Sequence, residues 1–343
     1  EDDITLRTRN FLSNNNFNFK KVDTSKLDVE PLWEFIGLED GRLVKWDNKL
    51  FLCGVRRDTT TNGVGRMELS ELQDTGHGFV EIKRYRIEPP KGYTYCEKNW
   101  MPILDMPFHF VKWTNPTEVV KVEITTLKSE TIVLKEQKLP IHRDLRGGSQ
   151  VIKYKDYYVA ITHEVDLWMN SKNNKDAHYY HRFIVWDKEW NIVNYSDEFK
   201  FMNARIEFCC GLAHRDGKFL ITFGYQDNTA FLLEMTDDCF ESFIEGEETS
   251  DKASLQSNSL HKFVFNTESS FNNHQIALEY FNEGHYASAM TFFLRCAELE
   301  HLHSDVDKTL VYSSLIYVAE CLGRIGRRRA SQKTALLNAI AYL

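Results

Sequence analysis

Four stretches of the chain share one order of polar and apolar positions: "EDGRLVKWDNKLFLCGV", "EKNWMPILDMPFHFVKWT", "RGGSQVIKYKDYYVAITH" and "EFCCGLAHRDGKFLITFGY". Each runs from a polar or small cluster through a short strand and a turn into a second, more apolar strand. Alternation with period two predicts a β-hairpin in each. Asp47-Asn48, Asp105 to Pro107, Asp156 and Asp216-Gly217 mark the turns, being residues that tolerate the backbone angles tight turns need. The stretches recur about every 50 to 60 residues, the period of propeller blades, and segments such as "TEVVKVEITTL" and "HRFIVWDKEWNIV" supply outer strands. With the front strand "ITLRTRNFL" they predict an all-β five-bladed propeller over residues 1–236, its first blade incomplete or closed by a later strand such as "HKFVF".

Beyond residue 236 the texture changes. "TDDCFESFIEGEETSDKASLQSNS" is acidic and Ser-rich and is expected to be a loop, within a linker spanning 237–270. Helical periodicity then takes over in 271–343. Ala277, Tyr280, Gly284, Tyr286, Ala289, Phe293 and Ala297 have the spacing of a tetratricopeptide repeat, and Tyr317, Ala319, Gly323 and Gly326 mark a second unit. C-terminal all-α tetratricopeptide-like helical hairpins are therefore expected, offering a surface to a protein partner. One or two such repeats cannot bury a solenoid core alone. The chain also starts at Glu1 and stops inside a helical pattern, so a truncated array from a longer protein is expected.

Antiparallel pairing brings the start of a hairpin's first strand beside the end of its second. His163 is thereby expected near Arg146 to Ser149, Asp227 near Glu207, Arg56 and Arg57 near Glu39 and Asp40, and Thr114 near Lys98 and Asn99. The inner strands of a propeller run in one direction, so these clusters converge on one mouth of the channel. Asp40 and Glu39 are candidate pocket acids, against the alternative of a pre-strand charge pair satisfied by Arg42. Lys98, Asn99 and Trp100 join a cation, an amide and an aromatic platform, a usual way to hold a sugar or anion; the alternative is a Trp packed between blades. Arg146 beside Gly147-Gly148, with His163 opposite, suits a phosphate oxygen. Glu207 and Asp227 serve as sugar-hydroxyl acceptors or as caps of blade strands.

The formal net charge of −8 argues against broad nucleic-acid binding, and the basic run Arg324, Arg327, Arg328, Arg329 reads as a solvated helix start. Seven cysteines without framework spacing fit reduced thiols and a cytoplasmic setting. Cys209-Cys210 with His214 read as strand residues rather than metal ligands, and His178 and His181 as an outer-strand pair. No apolar run approaches the roughly 18 residues of a membrane span. "NGVGR" at 62–66 is a turn, lacking the strand-to-helix context of a dinucleotide site. No nucleophile triad, P-loop or zinc-protease motif is present.

The order Glu-Asp-x-Arg-Leu, Lys-Asn-x-x-Pro, Arg-Gly-Gly-Ser and a strand ending in His resembles the five-bladed propeller mannoside phosphorylases of glycoside hydrolase family 130 and the related β-mannosyltransferases of glycosyltransferase family 108, over roughly residues 1–236. "EKNW", "RGGS" and "IEFC-x-G" look like a branch that joins this propeller to tetratricopeptide repeats, sometimes alongside a nucleotide-sugar glycosyltransferase domain. The resemblance implies glycosyl transfer or phosphorolysis of a mannoside-like sugar with inversion. Asp40 would be the general acid, acting through a sugar hydroxyl. Arg42 would hold that acid, and Lys98, Asn99 and His163, helped by Arg146, would contact the anion. No cofactor is implied beyond inorganic phosphate or a sugar phosphate as co-substrate. Position 41 is Gly where the family usually has Pro, and Arg7 and Arg9 are the nearest substitutes for a phosphate-binding Arg of its first blade. The alternative is a non-catalytic glycan-recognition or scaffold module of a larger glycosyltransferase.

Overall fold

The computed structural model describes residues 6–13, 19–91, 94–169, 175–202, 204–225, 229–245, 259–264, 270–282, 284–300 and 307–325. They fall into two units, Glu1–Phe263 and Val264–Leu343.

The first unit opens with short strands. β1 (Leu6–Arg7) pairs in parallel with β4 (Phe35–Ile36), and β2 (Phe11–Ser13) forms a hairpin with β3 (Phe19–Lys21). Four sheets follow in a propeller-like arrangement. Blade 1 holds β5 (Leu38–Trp46), β6 (Lys49–Arg56), β7 (Arg66–Asp74) and β8 (Phe79–Arg86) in that order. Blade 2 holds β9 (Met101–Pro102), β10 (His109–Trp113), β11 (Thr117–Glu123) and β12 (Lys128–Lys135). In blade 3, β13 (Arg146–Gly147) and β14 (Ile152–Tyr154) both pair with β15 (Tyr157–Met169), followed by β16 (Lys175–Trp186) and β17 (Ile192–Tyr195). Blade 4 holds β18 (Glu207–Arg215), β19 (Lys218–Tyr225), β20 (Thr229–Thr236) and β21 (Ser259–Val264).

Among the described residues the blades number four, three of four strands and one of five, where five blades were expected. "ITLRTRNFL" yields only β1 and β2, two and three residues long, too short to build a sheet with a hydrophobic face. The described part of "HKFVF", within β21, extends the outer edge of blade 4 instead of closing blade 1; Phe265 lies outside the described residues.

Apolar alternation explains how the blades stack. Val44, Trp46, Phe51, Met67 and Leu69 on one face of blade 1 meet Trp100, Phe110 and Val120 of blade 2. Met101, Ile103, Val111 and Val119 of blade 2 likewise meet Val151, Ala160, Ile184 and Trp186 of blade 3. The Trp46 indole N–H also donates to the Ile103 carbonyl at 3.1 Å, pinning two inner strands together. The other face of blade 1 carries Leu38, Leu52 and Leu72, and the N-terminal strands cover it through Leu12 and Val22.

The stretch after residue 236, expected as a loop, begins as helix α1 (Asp237–Glu245). Its first-turn acids Asp237 and Asp238 complement the helix dipole. Burial of Phe240 against Phe219, Phe183 and Tyr154, at 4.2, 5.1 and 5.4 Å, gives the segment an apolar anchor across blades 3 and 4.

The second unit contains α2 (Ser270–Asn282), α3 (Tyr286–Glu300) and α4 (Lys308–Arg324). Gly284 takes the α2–α3 turn at φ +81°, open to Gly and strained for most other residues. Ala277 and Ala289 are buried between helices, and Phe293 stacks on Tyr317 at 4.7 Å. Residues 326–343, with Gly326 and three of the four arginines of the basic run, lie outside the described residues.

Candidate functional site

The hairpin registers set the rim. Arg146 stands opposite His163, Glu39 opposite Val55, and Glu207 opposite Tyr225. Asp227 lies outside the described residues.

Arg42 sits where the inner strands converge. It is a fully buried cation, 0% exposed, with no ion pair among the described residues. Nη1 donates to the Asp40 carbonyl at 2.7 Å, Nε donates to the Gly148 carbonyl, Nη2 reaches Asn99 Oδ1 at 3.4 Å, and the guanidinium lies over the Phe208 ring at 5.6 Å. One side chain thus ties blade 1 to the rims of blades 2, 3 and 4. Gln150 completes the plug, donating to the Leu43 carbonyl and accepting from the Leu212 N–H, both at 2.8 Å. Arg42 therefore holds Asp40 by its main chain. The Asp40 carboxylate is left half-buried at the rim, on a backbone bent to φ +53°.

Beside this plug a cavity of about 350 Å³ is lined by Lys98, Asn99, Trp100, Arg146 and Gly147, together with Cys96, Glu97, Lys112, Trp113 and Asp144. Lys98 is exposed and Arg146 half-buried, and neither makes an ion pair among the described residues. Asp40 and His163 are not among the lining residues. Near the cavity, Glu39 has one carboxylate oxygen, Oε1, buried without a hydrogen-bond partner. Burial first, and then the neighbouring Asp40 charge, push its carboxyl above the usual range, while Arg57 and Lys98 pull the other way.

Several expected ligand contacts are spent internally. Trp100 is 1% exposed; its indole N–H donates to Glu97 at 3.0 Å and its ring meets Phe110, so it is a wall between blades 1 and 2. Asn99 is buried and adopts φ +62°. His163 is 2% exposed, and its Nδ1 lies 2.9 Å from the Gly147 carbonyl, an acceptor, so Nδ1 carries the proton. Burial, aided by His181, Arg146 and Arg42, holds its imidazole neutral, leaving Nε2 an acceptor. Ser149 donates to the Gln150 carbonyl at 2.7 Å and accepts from the Ile161 N–H at 2.9 Å. Glu207 accepts from the N–H groups of Phe201, Met202 and Ala204 at 2.6, 2.9 and 2.8 Å, and so organises the loop before β18.

The Gly pair also has a packing duty. A Cβ on Gly147 would lie 1.8 Å from the Asn99 carbonyl, and one on Gly148 would lie 2.3 Å from the Ile161 carbonyl. Glycine is required here because neighbouring backbones nearly touch.

Sequence reasoning passed over Trp113, Lys112 and Asp144. Trp113 ends β10 as His163 follows the matching part of β15, so the hairpin argument that placed Thr114 beside Lys98 extends to it. The half-buried Trp113, and not Trp100, is the aromatic residue left to offer surface to this cavity.

No family model and no curated protein matches the chain. Among solved structures it is similar to MPT-1, a GDP-Man-dependent mannosyltransferase from Leishmania mexicana, at 16% identity over 60% of this chain and 69% of that one, TM-score 0.36. It is similar to the β-1,2-mannobiose phosphorylase of Listeria innocua in complex with β-1,2-mannobiose, at 10% identity over 67% and 66%, TM-score 0.42. A glycosyl hydrolase from Bacteroides ovatus is matched at 11% identity over 59% and 66%, TM-score 0.42.

Proposed function

We propose that the propeller-like unit is carbohydrate-active and binds a sugar or sugar phosphate at the channel mouth, with Lys98 and Arg146 as its anion clamp. The observation that carries this reading is the convergence on one cavity of two cations from blades 2 and 3 that have no ion pair among the described residues. A phosphate dianion gains charge-assisted hydrogen bonds from both. Trp113 offers an apolar face for a sugar ring, and Asp144 an acceptor for its hydroxyls.

The reaction proposed is inverting glycosyl transfer or phosphorolysis, with the mannoside supplied by the short-motif resemblance. Asp40 is the proposed general acid at the leaving oxygen. In phosphorolysis the clamp brings the incoming phosphate on the opposite face; in the reverse direction it holds the departing phosphate of a sugar phosphate donor, and Asp40 takes the proton of the acceptor hydroxyl.

A specific observation favours a second reading, a glycan-recognition module. Asp40 and His163 do not line the cavity, and Arg42 grips the Asp40 main chain, not its carboxylate. The C-terminal helices are proposed to be tetratricopeptide-like and to dock a protein partner.

One experiment separates the readings. The protein is incubated with mannose 1-phosphate and an acceptor panel, and wild type is compared with Asp40→Asn and with Lys98→Ala/Arg146→Ala. Catalysis predicts turnover that falls at least about 100-fold in Asp40→Asn, the scale of a lost general acid. Sugar phosphate binding without turnover in any protein would leave the recognition module. Binding unchanged in Lys98→Ala/Arg146→Ala would overturn the clamp.

A further inference from the structure

The face of blade 1 that a fifth blade would cover is covered instead by the N-terminal strands, and between them lies a second cavity of about 230 Å³. Arg56, Ser70, Glu81 and Arg84 of its lining belong to an ionic network. Arg56 Nε donates to Glu68 Oε1 at 2.6 Å and its Nη2 reaches Glu81 at 3.5 Å, while Arg84 pairs with Glu81 at 2.6 Å and with Asp28 at 3.0 Å. Ser70 donates to Glu81 as well.

These groups satisfy one another, and Arg56 Nη1 also lies 3.8 Å from Asp58 Oδ2; one carboxylate oxygen of Asp58 and a set of rim cations are left over. Asp58 is 8% exposed and lines the cavity. Its Oδ2 accepts from the Gly37 N–H at 2.9 Å, but its Oδ1 is buried with no hydrogen-bond partner. Such an atom forfeits its hydration unless a donor arrives. At the rim, Arg7, Arg9 and Lys21 are exposed and make no ion pair among the described residues. The site therefore offers a buried acceptor below and free positive charge above. Its volume is below the usual range for drug-sized ligands, which points to a single sugar ring and not a chain.

We propose that this cavity is a second ligand site, separate from the channel mouth, for a small hydroxylated anion: a sugar phosphate or a sugar carboxylate. The anionic group lies against Arg7, Arg9 and Lys21, and a ligand hydroxyl donates to Asp58 Oδ1. Neither Lys98 nor Arg146 takes part, so the site stands whether or not the channel-mouth reading holds.

The test is calorimetric titration of the full chain carrying Lys98→Ala/Arg146→Ala, which silences the channel mouth, with glucose 6-phosphate, glucuronate, glucose and inorganic phosphate. One site is expected for glucose 6-phosphate or glucuronate, whichever binds identifying the anion, and at least tenfold weaker binding of glucose and of inorganic phosphate. Arg7→Ala/Arg9→Ala, on the exposed rim, is expected to weaken the anion at least tenfold without changing the fold. Asp58→Asn, checked for folding by circular dichroism, should weaken it comparably. No binding of either anion, binding indifferent to Arg7→Ala/Arg9→Ala, or inorganic phosphate bound as tightly as the sugar anion would each overturn the proposal.

Discussion

Arg42 holds Asp40 through its main-chain carbonyl, at 2.7 Å, and not through its carboxylate. The pattern Glu-Asp-x-Arg suggested a cation poised on a carboxylate. In the fold it is a buried strut whose donors go to the Asp40 and Gly148 carbonyls and to Asn99. Removing it leaves those acceptors dry and unpaired. Arg42→Met is expected to cost about 3 kcal/mol, the scale of stranding partners of a buried charge, measured as a fall in the urea midpoint with unchanged slope. A loss under about 1 kcal/mol would show that the strut is dispensable.

At the scale of elements, the rim is built by strands that approach more closely than side chains allow. Gly147 is the clearest case, since its neighbour across the blade boundary is the Asn99 carbonyl. Gly147→Ala should push the start of β13 away from the Lys98–Asn99 segment. Both stability and affinity for a sugar phosphate are expected to drop together, affinity by about tenfold or more, because misplacing a clamp by an ångström is enough to lose its hydrogen bonds. Lost stability with intact affinity would show that the cavity does not depend on this contact. The hairpin registers were legible beforehand, because antiparallel pairing and a marked turn leave little freedom. What Trp100 and Ser149 face was not legible, since a rim residue and a blade-boundary residue have the same spacing in the chain.

For the molecule as a whole, buried histidines give stability a definite pH dependence. His181 is fully buried and desolvation pushes its imidazole down to about 3; His163 is likewise held well below its ordinary value. Between that range and about 6.5, where an unfolded histidine titrates, the unfolded chain binds protons that the folded one refuses. Stability therefore falls as pH drops below about 6.5, by about 1.4 kcal/mol per pH unit for each such residue. The urea midpoint of His181→Leu is accordingly expected to depend less steeply on pH between 6 and 5 than that of wild type. Equal slopes would mean that His181 takes up a proton in the folded state.

The sequence by itself determined the hairpins, their turns, the change from strands to helices, and the gathering of polar clusters at hairpin starts. All of these follow from short-range periodicity and backbone preference. The tertiary structure alone decided that four blades form among the described residues, that β21 (Ser259–Val264) joins the last of them, and that α1 folds on an aromatic cluster from blades 3 and 4. It also decided which rim residues keep free donors and acceptors. Lys98 and Arg146 do, while Ser149, Glu207 and the His163 N–H are spent on backbone groups. The physical reason is that burial and hydrogen-bond satisfaction depend on which distant strands come to lie alongside, and no local pattern encodes that partner.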